Sequence, residues 1–204
     1  MIKLVLGLGN IGRKYRGTRH NVGFEVLDRV ADRLKAVPRP RRTEYDWATA
    51  QVSPGVNNAG EPIRREIMLV WPRTFMNLSG LAARAVLTEN EIRPSEALVV
   101  VDDFNLPLGA IRIRSRGSDG GHNGLISLIE ELGTEEFPRL RIGIGPLAKD
   151  PVVDYVLGAF EPEERKKIDP VLDIAAEAVL FAIDHRLEET MSTYNYNPAP
   201  PESA

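Results

Sequence analysis

The chain contains no cysteine, and that absence removes several kinds of chemistry at once. Without a thiol there is no disulfide framework, no zinc–thiolate site and no cysteine nucleophile. Long apolar runs are missing too, and no stretch approaches the roughly 20 residues of a membrane span. The N-terminus, Met1-Ile2-Lys3-Leu4, enters a strand-like segment and lacks the pattern of a signal peptide. We therefore expect a cytoplasmic protein with no membrane partner.

Histidine is also scarce. The three histidines, His20, His122 and His185, are scattered, and no two are separated by the four residues that place ligands on one helix face. The sequence therefore indicates neither a metal site nor a cofactor. With 43% hydrophobic residues among 204, the chain is long enough to bury one sizeable core.

The charge is unevenly distributed, although the formal net charge of −3 does not suggest a nucleic-acid partner. Residues 1–50 carry 11 basic and 5 acidic side chains, whereas residues 151–204 carry 4 basic and 11 acidic ones. Arg112, Arg114 and Arg116 alternate along a predicted strand, so their side chains should emerge on one face. That face is either a solvated surface or a site for phosphate groups, and the spacing leaves both open.

Strand and helix patterns alternate along the chain, which predicts one α/β domain over residues 1–191. We expect a twisted, mixed and largely parallel sheet with helices on both faces. The predicted strands are 2–6, 45–52, 63–71, 97–101, 111–113 and 140–144, and the predicted helices are 21–35, 76–89, 125–132 and 162–191. A turn is expected over 54–60. Residues 192–204, rich in Pro, Asn and Tyr, are predicted to form a disordered tail.

The most informative segment is the one that contains His20. The strand over 2–6 runs into Gly7 and Gly9, so it should deliver Asn10 and then His20 to the end of a sheet, where α/β proteins gather their chemistry. Asp102 and Asp103 end another apolar strand, and either could meet His20. A histidine oriented by a carboxylate acts as a general base. The alternative is a surface histidine and two carboxylates that merely terminate a strand.

A competing motif overlaps this segment. Residues 7–12, Gly-Leu-Gly-Asn-Ile-Gly, match the dinucleotide-binding pattern directly after a strand. That pattern requires a helix that opens at the third glycine, so that the pyrophosphate meets its N-terminus. Residues 13–19 have no apolar helical face, and the acidic residue that the pattern requires at the end of its own second strand has no clear candidate. A nucleotide-dependent oxidoreductase is therefore the weaker hypothesis.

Several segments, taken in order, resemble the bacterial-type peptidyl-tRNA hydrolases from residue 1 to about residue 190. Each match is weak alone, but the ordered set is specific. The matching residues are Gly7-Leu8-Gly9-Asn10, Thr18-Arg19-His20-Asn21-Val22-Gly23, Phe75-Met76-Asn77-Leu78-Ser79-Gly80, Asp102 with Leu106-Pro107, Gly120-Gly121-His122-Asn123-Gly124-Leu125, Arg139-Leu140-Arg141-Ile142-Gly143-Ile144-Gly145 and Val156-Leu157-Gly158.

The resemblance implies an enzyme that hydrolyses the ester between a peptide and the 3′ end of a tRNA, and so recycles tRNA from prematurely dropped chains. It implies a metal-free monomer in which His20 is the general base, Asp102 is its partner and Asn10 also belongs to the catalytic set. The further substrate and tRNA contacts that it implies are Tyr15, Asn21, Phe75, Met76, Asn77, Asn123, Arg112, Arg114 and Arg141. The three arginines correspond to a basic clamp, and residues 152–158 to a mobile region beside the cleft.

Two departures from the family pattern stand out. Ile11 replaces a usual proline after Asn10, and Asn105 replaces an acidic residue three positions after Asp102. Relatives in plant organelles serve as splicing factors, so a non-catalytic RNA-binding protein is an alternative. The chain keeps His20 and Asp102, and it keeps the asparagines Asn10, Asn77 and Asn123. Their presence favours an active enzyme over a protein that only binds RNA.

Overall fold

The computed structural model describes residues 1–39, 44–53, 55, 63–145 and 152–198. Six strands form one sheet in the order β2-β3-β1-β4-β6-β5. Their bounds are β1 Leu4–Gly7, β2 Tyr45–Val52, β3 Arg65–Pro72, β4 Ala97–Asp103, β5 Ile111–Arg114 and β6 Arg139–Gly143. The four inner strands are parallel, and β2 and β5 run antiparallel at the two edges. The predicted mixed, largely parallel sheet is confirmed.

Helices cover both faces of this sheet, as the alternating pattern predicted. They are α1 Val22–Leu34, α2 Ser79–Glu89, α3 Asn123–Leu132, α4 Val152–Leu157, α5 Pro162–Asp184 and α6 Leu187–Tyr194. One apolar core joins α1 and α5 to the sheet, and a second core joins α2 and α3 to its other face. The central strand β4 is buried at every position because both faces are covered.

The edge strand β5 alternates between buried and exposed residues. Ile111 and Ile113 point into the core, whereas Arg112 and Arg114 are exposed. The period of two that a half-covered strand shows is therefore present here, and it is absent from β4. The predicted alternation of these arginines is confirmed for the two that lie within the strand; Arg116 follows the strand and pairs with Glu136.

The C-terminal part of the chain differs from the prediction in two ways. The single helix expected over 162–191 ends at Asp184, because His185 adopts an extended backbone, with φ −121° and ψ 173°. Residues 192–198 are ordered rather than a free tail, since α6 continues to Tyr194 and Tyr196 pairs with Ile111. The rest of the predicted tail, and nearly all of the turn over 54–60, lie outside the described residues.

Smaller differences concern the ends of elements. Residues 76–78 form a turn of 3-10 helix before α2, and α3 begins at Asn123, two residues earlier than predicted. The first strand covers Leu4–Gly7 rather than 2–6. Within the part of the chain that the structure describes, every helix is too short or too polar to cross a bilayer.

Gly23, the second residue of α1, allows this helix to lie directly on the sheet. A Cβ atom there would overlap the carbonyl oxygen of Leu8 and come within 2.5 Å of the carbonyl oxygen of Val100. Backbone oxygens cannot rotate away as a flexible side chain can. Gly23 therefore determines how closely α1, and the turn with His20 that precedes it, approach the ends of β1 and β4.

We expect the Gly23→Ala substitution to lower the free energy of unfolding by about 3 kcal/mol, at the upper end of the cost of overpacking. Urea denaturation followed by circular dichroism measures the change. Ile174→Ala is the control, because this side chain is 43% exposed on α5 and its loss should change stability by less than ~0.5 kcal/mol. A Gly23→Ala variant that is as stable as the wild type would contradict the close approach of α1 to the sheet.

Candidate active site

The ends of neighbouring parallel strands bring the predicted residues together. Gly7 ends β1 and lies beside Val100 of β4, which continues to Asp102. A turn of 3-10 helix at Arg19–Asn21 then carries His20 to the same edge. His20 and Asp102 are 6% and 1% exposed. The predicted meeting of His20 with an acidic residue at a strand end is therefore present in the structure.

Asp102, not Asp103, is the carboxylate that contacts His20. Nδ1 of His20 lies 2.8 Å from Oδ1 of Asp102. Asp103 instead lies 3.1 Å from Nε of Arg141 and accepts a hydrogen bond from the backbone of Asn105. The strand pattern left both aspartates open, and the contact is made by the one that the resemblance implied. Because Nδ1 is occupied, Nε2 is the nitrogen of His20 that remains to accept a proton from a substrate or from water.

His122 is the residue that sequence reasoning missed. Its Nε2 lies 3.0 Å from the same Oδ1 of Asp102, and its Nδ1 accepts hydrogen bonds from the backbone N–H groups of Gly124 and Leu125. The side chain thus caps the N-terminus of α3. The available signal was its position just before that helix, but histidine is an unusual cap and the surrounding glycines suggested only a tight turn.

The two histidines make Asp102 a shared acceptor. Since Nδ1 of His122 accepts from two backbone amides, its proton has to be on Nε2, which donates to Asp102. Burial, the largest single influence, raises the pKa of Asp102. The nearby imidazoles outweigh it and hold the pKa of this carboxyl well below its usual range. Asp102 is therefore a buried carboxylate held charged by two histidines.

The same cluster satisfies the distance criteria of a metal site. One ligand atom each from His20, Asp102 and His122 lies within 4.8 Å of the others. The capping role of His122, however, uses its only free lone pair for the backbone, so Nε2 carries a proton and cannot bind a cation without losing it. We therefore interpret the cluster as a hydrogen-bond network, and the absence of a metal from the chemistry stays a prediction.

Asn10 is fixed by bonds on three sides. Asn21 Oδ1 accepts from the backbone N–H of Asn10 at 2.8 Å, and Asn21 Nδ2 donates to the carbonyl of Asn10 at 3.0 Å. The Oδ1 atom of Asn10 accepts from the backbone N–H of Met76. Its NH₂ group is therefore left to donate into the cleft. Asn21 does not line this cleft, and its side chain instead holds the loop that carries Asn10.

The cleft itself has a volume of about 300 Å³. Its walls are formed by the loops that carry Asn10, His20 and His122, by the turn at Met76–Leu78 and by α4, which contributes apolar side chains. Phe75 is 50% exposed at the rim, and its ring packs edge-on against Tyr15. The predicted site residues that line the cleft are Asn10, Tyr15, His20, Phe75, Met76, Asn77, Asp102 and Asn123.

The three arginines of the predicted clamp differ in their surroundings. Arg112 and Arg114 are exposed on β5, outside the cleft. Arg141 lies opposite Arg112 in the sheet, but its side chain is only 15% exposed and is paired with Asp103. It also lies beneath Gly120, whose carbonyl oxygen accepts a bond from Asn105. Arg141 and Asn105 thus support the glycine-rich loop that leads to His122.

The dinucleotide hypothesis does not agree with the geometry of its glycine loop. Gly12, the third glycine, has φ 109° and is followed by a short 3-10 helix at Arg13–Tyr15. The first α-helix after it begins only at Val22. Within residues 1–39, all of which the structure describes, no α-helix therefore opens at the third glycine, where a pyrophosphate would have to bind.

Comparisons with known proteins agree with one another. The sequence model of the family described as peptidyl-tRNA hydrolase matches residues 4–202. The chain is 45% identical over 198 residues to the peptidyl-tRNA hydrolase of Sulfurihydrogenibium sp. (strain YO3AOP1), which covers 97% of this chain and 99% of the relative. It is 43% identical over 195 residues to that of Aquifex aeolicus (strain VF5), with 95% of this chain and 96% of the relative covered. The crystal structure of peptidyl-tRNA hydrolase from Acinetobacter baumannii matches with a TM-score of 0.83 at 31% identity, over 97% of both chains.

The network around Asp102 predicts the tautomers of both histidines. In their neutral forms, His122 should carry its proton on Nε2 and His20 should carry its proton on Nδ1, because each donates to Asp102. Two-bond ¹H–¹⁵N correlation spectra of ¹⁵N-labelled protein distinguish the tautomers, with the exposed His185 as the internal comparison. A proton on Nδ1 of His122 would contradict the capping geometry.

Proposed function

The chain belongs to the peptidyl-tRNA hydrolase family, and on that premise we propose how its cleft hydrolyses the ester between a peptide and the 3′ end of a tRNA. The observation that carries the mechanism is the His20–Asp102 contact of 2.8 Å at the wall of the cleft. A buried carboxylate, an oriented histidine and several amide side chains suit hydrolysis of an ester. The family assignment makes the reaction peptidyl-tRNA hydrolysis.

In the proposed reaction, His20 is the general base. A water molecule attacks the carbonyl carbon of the ester while its proton passes to Nε2 of His20. Asp102 holds the ring in the required tautomer and stabilises the imidazolium that forms. The tetrahedral intermediate then releases the 3′ oxygen of the tRNA, which takes the proton back from His20. General-base catalysis of this kind contributes roughly 10²- to 10⁴-fold to the rate.

His122 acts as a positioning residue in this proposal. It donates to the same Oδ1 atom of Asp102 that His20 contacts, and its other nitrogen is anchored by the first turn of α3. That turn begins with Asn123, which lines the cleft. One side chain therefore ties the orientation of the catalytic carboxylate to the position of a substrate-binding amide.

The amide side chains suit the recognition of any peptide sequence. Asn10 presents its NH₂ group to the cleft, where it can donate to the developing oxyanion or to the attacked carbonyl. Asn77 and Asn123 are exposed on the cleft wall and can bind the peptide backbone. Neutral amides do so without adding a charge beside the base. We assign Asn21 to holding Asn10 rather than to contact with substrate.

Phosphate contacts are assigned to Arg112 and Arg114. Both are exposed, and a single guanidinium group can donate two parallel hydrogen bonds to the oxygens of a phosphate. Arg141 contributes positive charge to the same face, but its pairing with Asp103 makes it chiefly a support. Tyr15, Phe75 and Met76 supply apolar contacts. The cytoplasmic location, the monomeric state and the mobility of residues 152–158 stay predictions.

Replacement of His20 tests the mechanism. We expect His20→Ala to lower the hydrolysis of an N-blocked aminoacyl-tRNA by about 10²- to 10⁴-fold, since it removes the general base. Release of the blocked amino acid measures turnover, with and without EDTA. The affinity for deacylated tRNA should be unchanged.

His185→Ala is the matched control, because this histidine is exposed just after α5, where its Nδ1 lies 3.1 Å from the carbonyl oxygen of Phe181 and its ring stacks on the ring of Phe181. Full turnover by His20→Ala would refute the assignment of the base. Loss of turnover in the presence of EDTA would show that a metal takes part after all.

The arginines of β5 make a separate prediction. Arg112→Ala combined with Arg114→Ala should raise KM for the tRNA substrate and lower the slope of log affinity against log salt by about two, one for each lost phosphate contact. Arg84→Ala, on an exposed arginine of α2 that pairs with Glu131, is the control. An equal loss on a blocked aminoacyl ester of a single adenosine would show that the arginines act on the cleft instead.

A further inference from the structure

The outer edge of the sheet is completed by the segment that follows α6. The backbone N–H of Ile111 donates to Tyr196 at 2.8 Å, and that of Tyr196 donates back at 2.9 Å. The side chain of Asn195 accepts a bond from Ile113 at 2.6 Å. Residues 195 and 196 therefore cover the outer edge of β5 through one β-bridge and the side chain of Asn195.

This segment lines an open surface pocket of about 150 Å³. Arg112 and Arg114 line it together with Asn195, Tyr196 and Asn197, and its lining includes no carboxylate. Among the residues that the structure describes, neither arginine has an acidic partner; Arg114 contacts only the carbonyl of Ile113. Tyr196 is 57% exposed. Two free guanidinium groups, amide donors and an accessible aromatic ring thus meet at one edge.

The distance from this edge to the reacting groups follows from the sheet register. Asp102 pairs with Ile142, Ile142 pairs with Ile111, and Ile111 pairs with Tyr196. Adjacent strands are about 4.8 Å apart, so the backbone of Tyr196 lies roughly 14 Å from that of Asp102. A stacked nucleotide strand advances about 3.4 Å per residue, so about four nucleotides cover this distance.

We propose that residues 195–197 complete a binding site for the tRNA strand that leads away from the ester. Arg112 and Arg114 bind phosphates of that strand, and Tyr196 stacks on an exposed base or ribose. Phosphate contacts give affinity without sequence readout, and stacking on an aromatic ring tolerates any base. The inference rests on the proposed function and assigns a substrate contact to a segment outside the cleft.

Binding of deacylated tRNA to the full chain tests the proposal independently of catalysis. Fluorescence anisotropy at several salt concentrations compares wild type with Tyr196→Ala, Tyr196→Phe and Arg112→Ala. Tyr196→Ala should weaken binding about fivefold or more with an unchanged salt slope, because stacking releases no counterions. Tyr196→Phe should keep wild-type affinity, and Arg112→Ala should lower the slope by about one.

Two controls separate this site from the fold and from the catalytic centre. Ile174→Ala removes a comparably exposed apolar side chain from α5 and should leave tRNA affinity unchanged. Tyr196→Ala should hydrolyse a blocked aminoacyl ester of a single adenosine at the wild-type rate, since that substrate is too short to reach the edge.

Wild-type tRNA affinity of Tyr196→Ala would overturn the proposal and leave residues 195–197 as a cover for the sheet edge. Slower hydrolysis of the short ester by this variant would overturn it too, because the effect would then come from the fold. If the wild-type chain hydrolyses neither N-blocked aminoacyl-tRNA nor the short adenosine ester, the proposed function fails. Binding of deacylated tRNA by the same variants still decides whether residues 195–197 contact tRNA.

Discussion

The rest of the site depends on the hydrogen bonds that the buried carboxylate of Asp102 accepts from two histidines. Asp102 lies at the end of β4, a strand buried at all of its positions, and it accepts from His20 and His122 through one oxygen atom. These histidines come from two loops far apart in the chain, so a single charge holds both loops at one sheet edge. A buried carboxylate is stable only when it is well hydrogen-bonded. The two imidazoles supply such bonds to Oδ1 and are oriented by it, whereas Oδ2 has no hydrogen-bond partner among the described residues.

The amides around this network are held by the backbone rather than by other charges. Asn10 is fixed by Asn21 and by the N–H group of Met76, which links the first glycine loop to the turn before α2. Gly23 brings α1 close enough to the sheet for that arrangement to form. The donors in the cleft are therefore in place before substrate binds, and this limits the reorganisation that catalysis requires.

The wall formed by α4 is tied to the catalytic turn through Arg19. This buried side chain donates to the carbonyl of Ala159 at 2.8 Å and lies over the ring of Tyr155. Arg139 serves a comparable purpose below the glycine-rich loop, where it donates to the carbonyls of Gly117 and Ser118. Burial, with the nearby charge of Arg141, lowers its pKa to about 10. Several arginines of this chain thus support loops, while Arg112 and Arg114 are exposed and have no acidic partner among the described residues.

The sequence by itself determined the α/β class, the order of the elements and the meeting of His20 with an acidic strand end. These follow from hydrophobic periodicity and from the rule that parallel strands end at one edge. The strand pattern alone left Asp102 and Asp103 open, because both end the same strand; the family resemblance implied Asp102, and only the tertiary structure shows its contact with His20. It also revealed His122 and the pairing of Tyr196 with β5. Those contacts join residues distant along the chain, and no local pattern encodes them.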